Sequence, residues 1–319
     1  MCCKITKKCD VNGILYKKRS TFVSIMNNLC CIGHITRDKI VTPQQTVYMS
    51  GGVAFYFSYA ISHLPPTVNY KLITKVAEED IQAAADMASA GINVSTFPSE
   101  KTVFFENIYG HDLNERTQRV RAKSDQFRFE EVEGTEADIY HLGTLLSDDF
   151  TLDFVRQLHS RGHVSVDAQG FLRKVVGESV EKCDWEDKRE WMKHIDIIKV
   201  NEMEMYVLTG ENDPERAARA IAEWGPREVL VTLGSLGSVI LHEGTCISIP
   251  AYKPAKIVDA TGCGDTFMAG YLYCRVQGIQ PLQSAYFAEA MCTSKLSHNG
   301  PFSGTIEEIR RIGGRDIVL

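Results

Sequence analysis

VDATGCGDTFMAGYLY, residues 258–273, places two glycines around a cysteine, an aspartate directly after them, and then a run apolar enough only for a buried helix. A helix beginning at about Asp265 leaves its first N–H groups without intrahelical acceptors, and the macrodipole adds partial positive charge at the same end. Gly262 and Gly264 allow a sharp turn and a close approach to a ligand, so the amides of Gly262, Cys263 and Gly264 can converge on an anion. Such a nest suits oxygens that gain negative charge during a reaction. A carboxylate just beyond it can take the proton of a hydroxyl held against the nest. The pattern points to phosphoryl transfer to an alcohol, with Asp265 as general base.

Two other readings of the stretch fail on position. D-A-T-G-C-G resembles the first motif of a methyltransferase, whose glycines face S-adenosylmethionine, but that motif opens its domain. Here only 55 residues follow Gly264, and they read as helices. A dinucleotide fingerprint needs a third glycine that GCGDTF lacks, and it too belongs near the amino end.

Outward from this stretch, short apolar strands alternate with helices from Leu29 onward. NLCCIGHI, NYKLITKV, ADIYHLGTLL, HVSVDAQ, HIDIIKVN and REVLVTLG read as strands. VAFYFSYAISHL (Val53–Leu64), EEDIQAAADMASAG, SDDFTLDFVRQLHSRG, EMEMYVLTG and ERAARAIAEWG read as helices, the last with Asp213 as N-cap, Pro214 at its first position and Gly225 past its end. Strands apolar on both faces and separated by helices predict a parallel sheet covered on both sides. KIVTPQQTVYMS and KTVFFENIYGHDLNERTQRVRAKSD break the rhythm as strands without crossover helices, predicting an antiparallel flap with strands around 39–50 and 101–124.

The 319 residues are 44% hydrophobic and 24% charged, which suits one large α/β domain over about 26–319. A net charge of −6 argues against nucleic acid or an anionic membrane as the main partner, and no apolar run is long enough to span a bilayer. The ten cysteines form two adjacent pairs, Cys2–Cys3 and Cys30–Cys31, and scattered singles without C-x2-C spacing. They read as reduced thiols of a cytoplasmic protein. Residues 1–25, with six Lys or Arg in the first twenty, read as a poorly ordered basic extension ahead of Met26, a more natural start.

VDATGCGD followed by TFMAGYL resembles the second signature of the PfkB/ribokinase family of carbohydrate kinases. Three further segments match that family in its order: Gly51-Gly52 before a helix, Asn201-Glu202-Met203-Glu204 as N-x-x-E, and Thr232 to Gly237 as T-x-G-x-x-G. The resemblance covers the chain from about Leu29 to its end. It implies a ribokinase-like fold, a mostly parallel sheet with helices on both faces and a small β-sheet lid, and ATP and Mg²⁺ as cofactors. It makes Asp265 the catalytic base and Gly262, Cys263 and Gly264 the anion hole. Asn201 and Glu204 would order Mg²⁺, Glu204 through water, and Thr232, Gly234 and Gly237 would line the ATP site. Asp259 and Thr261 match a site where relatives hold a monovalent cation such as K⁺. Asp38, Gly51, Gly52, Asp167, Gln169 and Arg173 fall on the substrate side, and a homodimer through the lid is implied.

The resemblance also leaves openings. Sugar-phosphorylating relatives carry Lys or Asn after the di-glycine, where this chain has Val53, Ala54, Phe55 and Tyr56; that departure puts ribose in doubt. Arg119 and Arg121 on the flap suit either an anionic substrate or solvent. The aromatic cluster from Phe55 to Tyr59 suits a nucleoside. The favoured acceptor is a small carbohydrate or polyol; a nucleoside kinase, a sugar-phosphate kinase and a non-catalytic ligand-binding regulator remain open. His34, His63, His141 and His298 show no ligand spacing and read as structural or surface groups.

Overall fold

The computed structural model describes residues 27–109 and 116–317; the expectations for residues 1–25 lie outside the described residues. Among them the strands form two sheets. The larger has nine strands in the order β15-β14-β13-β12-β9-β8-β1-β4-β5. Its parallel part comprises β1 (Asn28–Gly33), β4 (Asn69–Val76), β5 (Val94–Pro98), β8 (Ile139–Gly143), β9 (His163–Asp167), β12 (Ile197–Asn201) and β13 (Glu228–Thr232). The hairpin β14 (Ser238–His242) and β15 (Thr245–Ile249) closes one edge antiparallel.

Sheet alternation sends Cys31 into one apolar layer and its neighbour Cys30 into the other. The first layer packs under α1 (Val53–Ser62), α2 (Ile81–Ser89), α7 (Cys263–Val276), α8 (Pro281–Lys295) and α9 (Ile306–Gly313). The second packs under α3 (Leu152–His159), α5 (Glu202–Thr209) and α6 (Pro214–Ala222), with the short α4 (Lys188–Met192) at its margin. The quoted run behaves as its composition demands: every residue of α7 from Thr266 to Cys274 is buried. Asp213 caps α6 as expected, accepting from the Arg216 amide at 2.8 Å.

The lid is a separate six-stranded sheet, ordered β10-β11-β7-β6-β2-β3. It joins β2 (Thr36–Val41), β3 (Thr46–Gly51), β6 (Val103–Tyr109) and β7 (Arg116–Ala122) to β10 (Arg173–Val176) and β11 (Ser179–Lys182). Two expectations change here. The flap is not wholly antiparallel, because β2 and β6 run parallel. It also recruits a hairpin from residues 173–182, which the sequence reading passed over. Val53, Leu145 and Leu146 of the body pack with Val103, Phe105 and Val120, so the lid face bearing those three looks inward. Strand parity then puts Asp38, Asn107 and Tyr109 on that inner face, and Lys39, Glu106 and Arg119 on the outer one.

Candidate active site

Open α/β sheets bind ligands beyond the carboxyl ends of their strands, beside the point where strand order reverses. In this sheet the order reverses at β1, which β4 and β8 flank. Asp167, Asn201 and Thr232 end the adjacent strands β9, β12 and β13, with Asn201 opposite Thr232 and Lys199 opposite Asp167. The turn Gly234–Leu236 begins one residue past Thr232, after Leu233, whose amide donates to the Gly237 carbonyl at 2.7 Å. The predicted donor-side residues thus share one rim.

The loop before α7 differs from expectation in detail. The helix begins at Cys263, two residues earlier than Asp265, because Gly262 adopts φ 76° as N-cap and turns the chain at once. The Cys263 amide donates to the Ala260 carbonyl at 3.2 Å and closes that turn. With Gly262 as N-cap, the amides of Gly262, Gly264 and Asp265 have no acceptor within the helix. A β-carbon on Gly262 would lie 2.3 Å from the Tyr56 ring, whereas one on Gly264 would lie 3.1 Å from the Lys199 Nζ, the movable end of a flexible side chain. Gly262→Ala therefore collides with a ring and strains a left-handed backbone, and turnover falls at least 100-fold; Gly264→Ala costs at most about tenfold. Steady-state rates of the two variants check the ranking.

Beneath the nest lies a residue that the sequence reading missed. Lys199 is buried, and its ammonium donates to Asp167 Oδ2 at 2.7 Å. Burial alone would lower its pKa, but Asp167, Glu204 and Asp265 reverse this, so it remains charged. The available signal was a lysine inside the apolar strand IIKVN, a place where a charge survives only with a partner. The Asp167 carboxylate also takes the Gln169 amide at 3.1 Å. The Gln169 side-chain oxygen, in the orientation that satisfies both groups, accepts from Arg173 Nη1 at 2.6 Å and Nη2 at 2.5 Å. A hydrogen-bonded line thus runs from Arg173 through Gln169 and Asp167 to Lys199.

Three carboxylates meet these two cations. Burial, then repulsion from Asp167, raises Asp265 to about 7, with Lys199 and Arg173 pulling the other way. Glu204 is likewise raised, by burial first, Lys199 opposing and Asp167 adding. Asn201 and Glu204 form a capping box for α5: Asn201 Oδ1 accepts the Glu204 amide at 2.9 Å, and Glu204 Oε2 accepts the Asn201 amide at 2.8 Å. The helix start thereby fixes both side chains at the rim. Carboxylates raised by burial, and further by one another, fit a hard divalent cation. Among the described residues no three ligating side chains close on one point, so Mg²⁺ here would be held largely by donor oxygens and water.

On the acceptor side, Asp38 receives the Thr36 hydroxyl at 2.7 Å, and a β-carbon on Gly51 would lie 2.5 Å from Asp38 Oδ2. Gly52, at φ 89°, starts α1 and passes equally close to the His34 carbonyl. Tyr56 bridges the two halves of the cleft. Its ring packs on Gly262, and burial, then Asp38, Asp259, Asp265 and Tyr109, push its hydroxyl pKa up. Arg121 faces away from the cleft, donating to Glu106 and Glu178. Arg119, across from Glu106, shares that outer face.

The predicted monovalent-cation site does not fit a free ion. The Lys295 ammonium lies 2.9 Å from the Asp259 carbonyl oxygen and 3.3 Å from its carboxylate, while Thr261 gives its amide to Asp259 Oδ1 at 2.8 Å. The histidines keep to structural roles. His34 stacks on Phe127 and is driven down to about 3 by burial and then Lys75; His141 stacks on Phe57 and donates to or accepts from Ser165.

Comparison with known proteins agrees with this geometry. The model of the pfkB family carbohydrate kinases matches residues 26–305. A cytidine kinase of Thermococcus kodakarensis is 29% identical over 257 residues, covering 77% of this chain and 88% of that protein. A pyrophosphate-dependent kinase in the ribokinase family, complexed with a pyrophosphate analogue and myo-inositol, superposes with a TM-score of 0.79 at 27% identity, covering 89% of this chain and all of that one. The Arabidopsis thaliana ribokinase structure, at 20% identity and TM-score 0.72 over 90% of this chain and 98% of its own, shares the fold. The chain belongs to the pfkB family of carbohydrate kinases, with the ribokinase-like fold.

Proposed function

We propose that the protein transfers a phosphoryl group to one hydroxyl of a small, uncharged polyol or sugar, with Asp265 as general base. The observation that carries this reading is the start of α7, where amides without intrahelical acceptors, the Asp265 carboxylate and the buried Lys199 ammonium come together. The lid covers the acceptor against Asp38 and Tyr56 and excludes water that would otherwise hydrolyse the donor. Asp265 takes the hydroxyl proton as the oxygen attacks, while the Gly262 and Gly264 amides, Lys199 and Arg173 face the charge moving onto the phosphoryl oxygens. Bound Mg²⁺, positioned by Asn201 and Glu204, would neutralise donor phosphate charge.

Two features favour an unphosphorylated acceptor. The lid arginines Arg119 and Arg121 lie on the outer face, and the inner face presents Asn107, bonded to Gln118 at 2.9 Å, beside Asp38. The donor is ATP on the family pattern. Inorganic pyrophosphate is the second reading, favoured by the 27%-identical pyrophosphate-dependent relative and by the Lys199 and Arg173 cations that serve phosphates without reference to a base. A nucleoside acceptor has the cytidine kinase in its favour. The seven free cysteines among the described residues, adjacent Cys30 and Cys31 included, support a cytoplasmic setting. Among the described residues no helix is long and apolar enough to cross a membrane. Among the described residues no further strand pairs with β3 at the edge of the lid sheet, which supports a homodimer through the lid.

A product-release screen tests the reading. ATP and pyrophosphate are each paired with myo-inositol, ribose, fructose, 2-keto-3-deoxygluconate, cytidine, adenosine and fructose 6-phosphate. Turnover highest on an uncharged polyol or sugar is the expected result. Tight ligand binding with no transfer from either donor would mean a binding protein.

A further inference from the structure

Lys295 is one of the most completely buried charges in the fold, with none of its surface accessible. It is the last residue of α8, and its side chain reaches across to the loop that leads into the anion hole. There its ammonium meets three oxygens: the Asp259 carbonyl at 2.9 Å, Asp259 Oδ2 at 3.3 Å and the His298 carbonyl at 3.4 Å. Two backbone carbonyls and a carboxylate around one buried positive charge are the hard-oxygen surroundings that a bare monovalent cation would take. Here the charge is a side chain's, and no free ion fits where Nζ already lies.

The other groups facing Asp259 complete the arrangement. The Gly300 amide donates to Asp259 Oδ2 at 3.1 Å and the Thr261 amide to Oδ1 at 2.8 Å, while the Leu296 carbonyl accepts from the Val258 amide at 2.7 Å. Residues 258–261 are thereby tied to the end of α8 and the segment after it, with Lys295 at the centre. Gly262, Cys263 and Gly264 follow directly, so the shape of the nest depends on what holds Asp259. Cys292, one turn before Lys295, also reaches the Cys263 carbonyl at 3.1 Å from the same helix.

We propose that the Lys295 ammonium is a built-in monovalent cation that sets the anion-hole loop, and that the protein works without K⁺ or any other free monovalent ion. An ammonium of a tethered side chain carries the same charge as K⁺, cannot dissociate, and brings no entropy cost of capturing an ion. The role of the loop rests on the phosphotransferase reading above; the occupancy of the site by Lys295 does not.

The experiment has two arms. Wild-type turnover is measured at fixed ionic strength in potassium, sodium, ammonium and choline chloride, and the rates are expected to agree within about twofold. Activation of the wild type by K⁺ of fivefold or more overturns the proposal. Lys295→Ala opens a cavity of cation size beside two carbonyls and a carboxylate. Its turnover in choline chloride falls at least tenfold, and K⁺ or ammonium restores at least a third of the loss while choline does not. In parallel, thermal melting is followed as KCl replaces choline chloride: the Lys295→Ala midpoint rises with K⁺ and the wild-type midpoint does not. Lys295→Met, which fills the cavity, stays unresponsive to both ions. Failure of K⁺ and ammonium to act on Lys295→Ala in either readout overturns the proposal. The melting arm needs no turnover, so a protein inactive on every donor and acceptor pair would sink the phosphotransferase reading while the cation site is still judged on its own.

Discussion

Asp265→Asn lowers kcat by about 10²–10⁴, the range a positioned general base contributes, while donor binding measured by calorimetry stays within a fewfold of wild type. The substitution keeps the size of the side chain and its place as the third residue of α7, so the helix start and its amides are retained. What it removes is the ability to accept a proton. The pH dependence gives an independent check with a defined sign. Burial and the Asp167 charge raise Asp265 to about 7, so the free enzyme holds it largely protonated at pH 6 and largely ionised at pH 8. The base must be ionised to act, so kcat/KM rises as pH rises through 7 and levels off above it, with roughly a tenth of the plateau left at pH 6. A profile that is level between pH 5.5 and 8.5, or an Asn variant with a third of the wild-type rate, assigns the proton transfer elsewhere.

Lys199→Met breaks a buried ion pair and leaves Asp167, itself almost fully buried, without its 2.7 Å partner. Removing one member of such a pair costs about 3–5 kcal/mol, because the remaining charge stays desolvated. The melting midpoint falls by roughly 6–15 °C on that cost. Turnover falls too, by at least 100-fold, since Nζ is the cation closest to Gly264 in the nest. The double variant Lys199→Met with Asp167→Leu separates the two effects. It removes both charges, so most of the lost stability returns, whereas activity does not. Recovery of turnover along with stability would reduce Lys199 to a packing role.

Much of this site could be read along the chain, because its elements announce themselves locally. Asp265 follows two glycines and opens an apolar run; Asn201 and Glu204 stand three apart at a helix start; Gly51 and Gly52 precede another. Each is a short-range pattern with a backbone reason. What escaped depends on pairs far apart in sequence. Lys199 meets Asp167 across neighbouring strands, and Lys295 reaches Asp259 from the far end of α8. The lysine in IIKVN signals that a partner is needed, but local periodicity names the partner of neither. The monovalent-cation expectation at Asp259 left Lys295 out for that reason: it lies 36 positions away. The hairpin β10–β11 was missed because RKVV and SVEK are too short to show alternation; it joins the lid sheet through β7. The bond from the Cys263 amide to Ala260 escaped because the helix starts two residues before its first acid.

The central claim is that the amides at the start of α7 and the Asp265 carboxylate face one reacting phosphoryl group from two sides. A crystal structure of the wild-type protein with the accepted polyol, Mg²⁺, the spent donor and aluminium fluoride, which mimics the transferring phosphoryl group, tests it most directly. The account places the fluoride ligands on the Gly262 and Gly264 amides and the acceptor oxygen within about 2.6–3.2 Å of Asp265. An acceptor oxygen turned away from Asp265, with the fluoride held on another rim of the sheet, would contradict it.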